Sequence, residues 1–367
     1  MYDTTIVRYG EIFLKSEYVK RMLEERLIES IKLKSKVPHK IIRKRHRIYI
    51  ESDDPDRAGE DIANIFGVTS ASAAVKTTAD MSEMVEVSVN LAKQNIKKEN
   101  TFAVRATRTG KHEFSSMDIE SEIGRSIQEA TNASVNLDNP DKTIFIEVRD
   151  EDAFVFDKKI PGVGGLPYGS QGKAVALISR GIDSPAAAWL MMKRGCRIIG
   201  VHFSLDSNIE HIMRKLEEHS IHKIKSYNIG FSEVLNEISK SAGKYTCVIC
   251  KRTMLRIAER IARMEGAHGI VTGDNLGQVA SQTLDNLEVV SAASDIPIYR
   301  PLIGMDKEEI IGVARKIGTY DLQSTKLCKF VPRKPSTKAR SEEIERIEKE
   351  IGIEDLIDKI LEETSCE

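Results

Sequence analysis

Residues 173–189, KAVALISRGIDSPAAAW, constrain the fold more than any other part of the 367-residue chain. Val175, Ala176, Leu177 and Ile178 form a continuous apolar run, the pattern of a strand buried on both faces of a parallel sheet. Residues 179–184 then turn the chain into an apolar helix expected to start at Pro185. Proline is favoured just inside a helix start, because its missing N–H would be unpaired there. Such a turn aims free backbone N–H groups and a positive helix end at one point, which makes an anion site. No GxxxxGK[ST] is present, so this is not a Walker loop. An ordinary strand–turn–helix is the plain alternative. Two further apolar strands, RIIGVHF at 197–203 and IVTG at 270–273, favour an open α/β sheet with ligands at its carboxyl edge.

The hydrophobic content of 41% is enough for packed cores, and the length suggests two or three domains. Net charge is −1, so a nucleic-acid surface would have to come from local clustering. No apolar run reaches membrane-spanning length and the N-terminus lacks a signal-peptide pattern, so a soluble, cytoplasmic protein with no membrane partner is expected. The five cysteines, Cys196, Cys247, Cys250, Cys328 and Cys366, are an odd number, which argues against a disulfide framework.

In chain order, residues 4–9 read as a strand and 10–31 as a helix with Tyr18, Met22, Leu23 and Leu27 at helical spacing. Lys32, Lys34, Lys36, Lys40, Arg43, Lys44, Arg45 and Arg47 follow with no acid between Glu29 and Glu51. A solvated face is the usual meaning of a charge run, but eight uncompensated cations feeding the strand HRIYI favour contact with a phosphate backbone. A helix at 61–66 capped by Gly67 and a strand at 68–75 complete a small α+β sandwich of ferredoxin-like type. Helices at 81–96 and 118–130 and strands at 101–110, 143–149 and 153–157 make a second unit, with Arg105, Arg108, Lys111 and His112 crowded on one strand and its loop. Seven glycines and prolines between Pro161 and Gly172 mark a linker or hinge.

Ser179, Gly181, Asp183 and Ser184 resemble the SGGxDS motif of PP-loop ATP pyrophosphatases, with Arg180 in place of the first glycine. RYGEIFLK, IFGV, VRATRTGKHEFSSMDIE, GVGGLPYG, SRGIDSP and TGDNLGQVASQT, in that order, resemble the tRNA 4-thiouridine synthetases, the ThiI-type tRNA sulfurtransferases, over essentially the whole chain. The resemblance implies a multidomain α/β and α+β protein: a ferredoxin-like domain at 1–60, a THUMP RNA-binding domain at 61–165 and a Rossmann-like PP-loop domain at 166–367. It implies adenylation of O4 of uridine 8 in tRNA by ATP, then displacement by sulfur.

The resemblance places ATP against Leu177, Ile178, Ser179, Gly181, Asp183, Ser184, His202, Phe203, Lys251, Gly273 and Gln282, with Asp274 where the family has Glu. For His202 and Phe203 a core role is the alternative. Asp183 is a candidate Mg²⁺ ligand, and Lys307 is the candidate to offset charge as pyrophosphate leaves. Cys328 corresponds to the cysteine of the thiolation step. Members with a C-terminal rhodanese domain carry a persulfide cysteine there. The residues here end at Glu367 without one, so the archaeal type is expected, with an iron–sulfur cluster on Cys247, Cys250 and Cys328 whose open iron site takes sulfide. Two cheaper readings of the CVIC pair stay open: a zinc clip, or a redox pair resolving a persulfide on Cys328. Both CVIC sulfurs are expected just before a helix whose positive end lowers their thiol pKa. Cys196 is expected to be a small buried hydrophobe and Cys366 idle. A charged amphipathic helix at 341–363 is expected to pack on the catalytic domain or a second subunit, and the resemblance implies a homodimer. The sulfur donor, sulfide or a persulfide carrier, is left open. The rivals are a PP-loop thiolase for another tRNA position and a non-catalytic tRNA-binding protein whose loop has decayed at Arg180.

Overall fold

A computed structural model describes residues 2–44, 47–204, 209–324 and 328–364. The chain divides into two units, residues 1–165 and 166–367, each with its own sheet. Cys366, Lys326 and Arg45 lie outside the described residues.

The first unit runs β1 (Thr4–Tyr9), α1 (Glu17–Lys34), β2 (His39–Lys44), β3 (Arg47–Ser52), α2 (Pro55–Ala63), β4 (Val68–Thr78), α3 (Met81–Asn95), β5 (Thr101–Thr109), α4 (Ser116–Thr131), β6 (Ser134–Val135), β7 (Lys142–Arg149), β8 (Asp152–Phe156) and β9 (Ile160–Pro161). Among the described residues these strands form one sheet ordered β2-β3-β1-β4-β8-β7-β5-β6, with β9 also on β4. The first four strands and two helices have the ferredoxin-like order. β4 joins the halves: Val68–Ala74 pair with β1 and Val75–Thr78 with β8. The division expected at 60/61 therefore falls inside α2, and the sheet has no break there.

Several expectations are corrected in this unit. The helix expected at 61–66 begins at Pro55, where Asp54 caps it by accepting from the Arg57 amide. α1 buries Leu23, Leu27 and Ile31, whereas Tyr18 and Met22 are exposed. The basic run contains an additional strand, β2, and much of it is compensated by acids distant in sequence. Lys40 pairs with Glu51 at 3.0 Å, Arg43 with Glu24 at 3.0 Å, Arg47 with Glu147 at 2.8 Å, and Lys44 with Asp152. Buried Glu147 on β7 also receives Arg8 of β1 and Arg149 of its own strand. The glycine-rich stretch begins tied to the sheet, since Gly162 and Gly164 donate to Thr69 and Val68.

The second unit runs β10 (Lys173–Leu177), α5 (Asp183–Lys193), β11 (Arg197–Ser204), α6 (Glu210–Glu217), β12 (Ser226–Gly230), α7 (Ser232–Ala242), α8 (Thr246–Glu265), β13 (Ile270–Val271), α9 (Leu284–Ser291), β14 (Ile298–Tyr299), α10 (Lys307–Lys316), α11 (Ser341–Ile351) and α12 (Ile353–Glu362). Its strands are all parallel, ordered β12-β11-β10-β13-β14. Strand order reverses at β10, and the crevice beyond the carboxyl ends of β10 and β13 is where such sheets bind ligands. Val175, Ile199 and Val201 join Ile238, Ile249, Ile257, Ile344 and Ile357 in one core. The expected single tail helix is two, α11 and α12, broken at Gly352 with φ of +72°. Buried Arg252 of α8 grips Glu348 of α11 with two nitrogens, at 2.7 and 2.9 Å, and Arg256 adds a third contact at 2.8 Å. Arg260 pairs with Glu354 and Asp358 of α12. Among the described residues, no helix is long and apolar enough to cross a membrane.

Candidate functional site

The loop after β10 folds on two serines. The Ser184 hydroxyl accepts from the Ser179 amide at 2.8 Å and lies 3.0 Å from the Ser179 hydroxyl, which accepts from the Gly181 amide at 3.3 Å. Ile182, at the N-cap of α5, supplies no side-chain cap. The first amides of α5 are therefore without side-chain caps at the positive helix end, the arrangement that receives phosphate. Gly273 backs this turn so closely that an added Cβ would sit 2.7 Å from the Ser184 nitrogen. Gly181 is different: a Cβ there would meet only the Ser179 hydroxyl, at 3.5 Å, so protein packing does not demand the glycine.

Beside the loop a cavity of about 180 Å³ is lined by Leu177, Ile178, Ser179, Phe203, Lys251, Met254, Leu255, Thr272, Gly273, Asp274 and Val290. Apolar walls with a few convergent polar groups suit a nucleobase-sized ligand. Asp274 is the polar centre. It accepts from Lys251 Nζ at 2.7 Å, Thr272 Oγ1 at 2.8 Å, Gln282 Nε2 at 3.2 Å and Arg300 Nε at 3.3 Å. Burial alone would raise its pKa, but the Lys251 charge and hydrogen bond, the Thr272 hydroxyl and Arg300 overcome it and hold the carboxyl at about 2. Gln282 keeps its Oε1 buried with no hydrogen-bond partner among the described residues, so this oxygen is available to a ligand donor.

His202 is placed differently from its expected role. It is buried, does not line the cavity, and its Nδ1 lies 2.9 Å from the Ile178 carbonyl oxygen, so it props the loop from behind. Lys307 and Asp183 meet at 2.8 Å across the mouth of the loop, with Gln278 Nε2 at 3.4 Å from the second carboxylate oxygen. Lys307 is the first residue of α10, whose Asp306–Glu309 capping box supplies the negative charge that suits a helix start. The stretch 274–283 is a loop with a short 3-10 turn. The helix starts at Leu284 with the Thr283 hydroxyl as its cap.

Cys247 and Cys250 lie inside the first turns of α8 rather than before it. Burial pushes the Cys250 thiol up to about 12, with repulsion from Cys247 and Cys328 added, and raises Cys247 in the same way. The helix end does not lower them as expected, because burial and mutual repulsion outweigh it, with Lys251 offsetting only part. Cys328 is exposed. These three thiols feel one another's charge, yet among the described residues no set of three His, Cys, Asp or Glu side chains is gathered closely enough to grip a metal ion. Cys196 is half-buried, and burial raises its thiol.

Reasoning from sequence missed Arg300, Thr272, Met254 and Leu255. Only the parallel pairing of β13 with β14 brings Arg300 beside Asp274, and no local pattern announces it.

The family model "Thiamine biosynthesis protein (ThiI)" matches residues 169–353, a THUMP domain matches 78–156 and a ThiI ferredoxin-like domain matches 4–72. The chain belongs to the ThiI family. A Methanosarcina mazei protein named "Probable tRNA sulfurtransferase" is 41% identical over 98% of this chain and 94% of that protein. Its Methanocaldococcus jannaschii counterpart is 38% identical over 95% of this chain and 97% of that protein. Among solved structures, a 4-thiouridine synthetase in complex with RNA and bound ATP is 33% identical, with a TM-score of 0.88 over 100% of this chain and 99% of the other. PH1313 from Pyrococcus horikoshii Ot3 is 26% identical, with a TM-score of 0.66 over 86% of this chain and 99% of the other.

Proposed function

We propose that this ThiI-family chain is an ATP-dependent tRNA sulfurtransferase that makes 4-thiouridine at position 8 of tRNA. The observation that carries the reading is the pocket at the end of β10, where an apolar cavity opens onto a turn with uncapped helix amides. The base of ATP occupies the cavity between Leu177, Phe203 and Gly273, and the triphosphate lies over residues 179–184. O4 of the uridine attacks the α-phosphorus and pyrophosphate leaves. Lys307, placed at the loop mouth by Asp183, offsets the charge that develops on the leaving group. Mg²⁺ is commonly held by one or two carboxylates together with substrate phosphates, and Asp183 is the protein group that would hold it here.

A sulfur nucleophile delivered at Cys328 then adds to C4, and AMP leaves with the original O4. Sulfide supplies the sulfur at the right oxidation level; where a persulfide carrier supplies it, a second thiolate must attack the inner sulfur, releasing the thiouridine and leaving a disulfide that an external thiol reduces. Cys247, Cys250 and Cys328 are the donor types an iron–sulfur cluster takes, but they are not gathered as one set among the described residues, and Cys328 alone carries the sulfur step in this reading. Basic side chains of the first unit hold tRNA by shape and phosphate contacts, and the uridine is drawn from its stack to reach the pocket. A homodimer accompanies this reading, checked by sedimentation.

The test is direct. Purified protein, unmodified tRNA, ATP and sulfide are incubated, and pyrophosphate and nucleosides are measured together. The reading expects tRNA-dependent pyrophosphate release and 4-thiouridine confined to position 8. Thiolation elsewhere, or none with every component present, would count against it.

A further inference from the structure

The segment that begins at the exposed thiol, 328–340, reads CKFVPRKPSTKAR and holds Lys329, Arg333, Lys334, Lys338 and Arg340 with no acid among them. A charge run is usually a solvated face. In the first unit such a run is largely compensated, because Lys40, Arg43, Lys44 and Arg47 find carboxylates. Here the carboxylates are missing. Lys338 comes within 3.8 Å of Asp285, at the limit of an ion pair, and Lys329, Arg333, Lys334 and Arg340 meet no carboxylate among the described residues. All five cations are exposed. Lys244, also exposed, adds a sixth where the segment is fastened, since the Ser336 amide donates to the Lys244 carbonyl at 3.0 Å.

The backbone beneath these charges is tied down at several points. Buried Asn286 gives Nδ2 to the Ser336 carbonyl at 2.9 Å and accepts the Ala339 amide at 2.9 Å. The Thr283 hydroxyl donates to the Thr337 carbonyl at 2.7 Å. Phe330 packs on the main core of the unit, and Ala339 is buried. Pro332 and Pro335 restrict the chain between these ties. Cations carried on an ordered backbone surrender less chain entropy when they bind a partner.

We propose that this strap is a second RNA-binding surface, which grips tRNA phosphates beside the target uridine and lays that nucleotide against Cys328. The partner is identified by its charge. Six cations gathered without matching acids, on a chain whose net charge is −1, suit a polyanion. The first of them, Lys329, adjoins the thiol, so a backbone held here brings its bases to the sulfur. The inference rests on tRNA being the substrate, and it adds an anchor on the second unit that is separate from the basic side chains of the first.

The test uses two triple variants of the full chain. Arg333→Gln/Lys334→Gln/Arg340→Gln removes three exposed charges, whereas Arg333→Lys/Lys334→Arg/Arg340→Lys keeps them. Binding of unmodified tRNA is followed by fluorescence anisotropy across a salt series. The slope of log affinity against log salt should flatten by about two in the neutral variant, three contacts at roughly 0.7–0.9 each, and stay at the wild-type value in the charge-conserving one. The KM for tRNA in pyrophosphate release should rise in the neutral variant while the KM for ATP is unchanged. A local readout accompanies these: saturating tRNA should slow alkylation of Cys328, followed by peptide mass spectrometry, in the wild type and the charge-conserving variant, and the neutral variant should lose that shielding. An unchanged salt slope, a charge-conserving variant that fails as badly as the neutral one, or shielding of Cys328 that is equal or absent in all three proteins would overturn the proposal. The wild type separates this result from the reading of function. If it binds tRNA and makes 4-thiouridine while the neutral variant matches it, the strap alone is refuted; if it has no affinity for tRNA, both are.

Discussion

Asp274 gathers four donors in a space from which water is largely excluded, and that makes it the most consequential single side chain of the pocket. Replacing it with Asn keeps the shape and removes the charge, leaving Lys251 and Arg300 without their carboxylate. Losing a hydrogen bond to a charged group costs about 1.5–3 kcal/mol. Asp274→Asn should therefore raise the KM for ATP by about 10- to 100-fold, measured by pyrophosphate exchange, with a smaller effect on tRNA affinity. Gly273→Ala tests the turn in another way. Its methyl group would press on the Ser184 nitrogen, so the loop must move, and the variant should lose nucleotide binding by calorimetry while the first unit keeps its fold. Gly273 and Lys251 were legible through the family resemblance, which places both against ATP. Arg300 was not, since its role exists only once two strands lie side by side.

Two elements owe their placement to charges that are far apart in the chain. α8 is held against α11 by Arg252 and Glu348, both buried. Removing one partner of a buried pair leaves an uncompensated charge, and Glu348→Gln should cost about 3 kcal/mol in denaturant unfolding of the second unit. In the first unit, Glu147 ties β1, β3 and β7 through three arginines. Burial opposes its ionisation, but Arg8, Arg47 and Arg149 prevail and lower its pKa to about 2. A carboxyl depressed in the folded state stabilises fully above its ordinary value near 4.5 and loses that contribution as pH falls towards 2. Acid titration should thus weaken the wild type between about pH 5 and 2, by up to about 3 kcal/mol from this group. Glu147→Gln should be less stable at neutral pH and show a flatter acid profile. The same pairings explain why the basic run misled. β2 carries exposed Lys40, Arg43 and Lys44 beside half-buried His39, Ile41 and Ile42 at a sheet edge, which reads as a solvated or RNA-facing stretch until Glu51, Glu24, Glu147 and Asp152 arrive from elsewhere. The start of α2 could have been read, because an Asp followed by Pro is a helix-start signal.

At the scale of the whole chain, the layout of the second unit follows from its apolar strand runs, and the parallel order that puts a crevice at β10 follows from those runs and the helices between them. What no run discloses is that the pocket at β10 and Cys328 are distinct features of the second unit, since Cys328 is exposed and does not line the cavity. The sharpest check is to assay Cys328→Ala with tRNA, ATP and sulfide, reading pyrophosphate and 4-thiouridine from one reaction. Pyrophosphate at the wild-type rate with no 4-thiouridine is the expected result. Normal 4-thiouridine, or no pyrophosphate from a folded variant, would contradict an ATP pocket at β10 that works apart from Cys328.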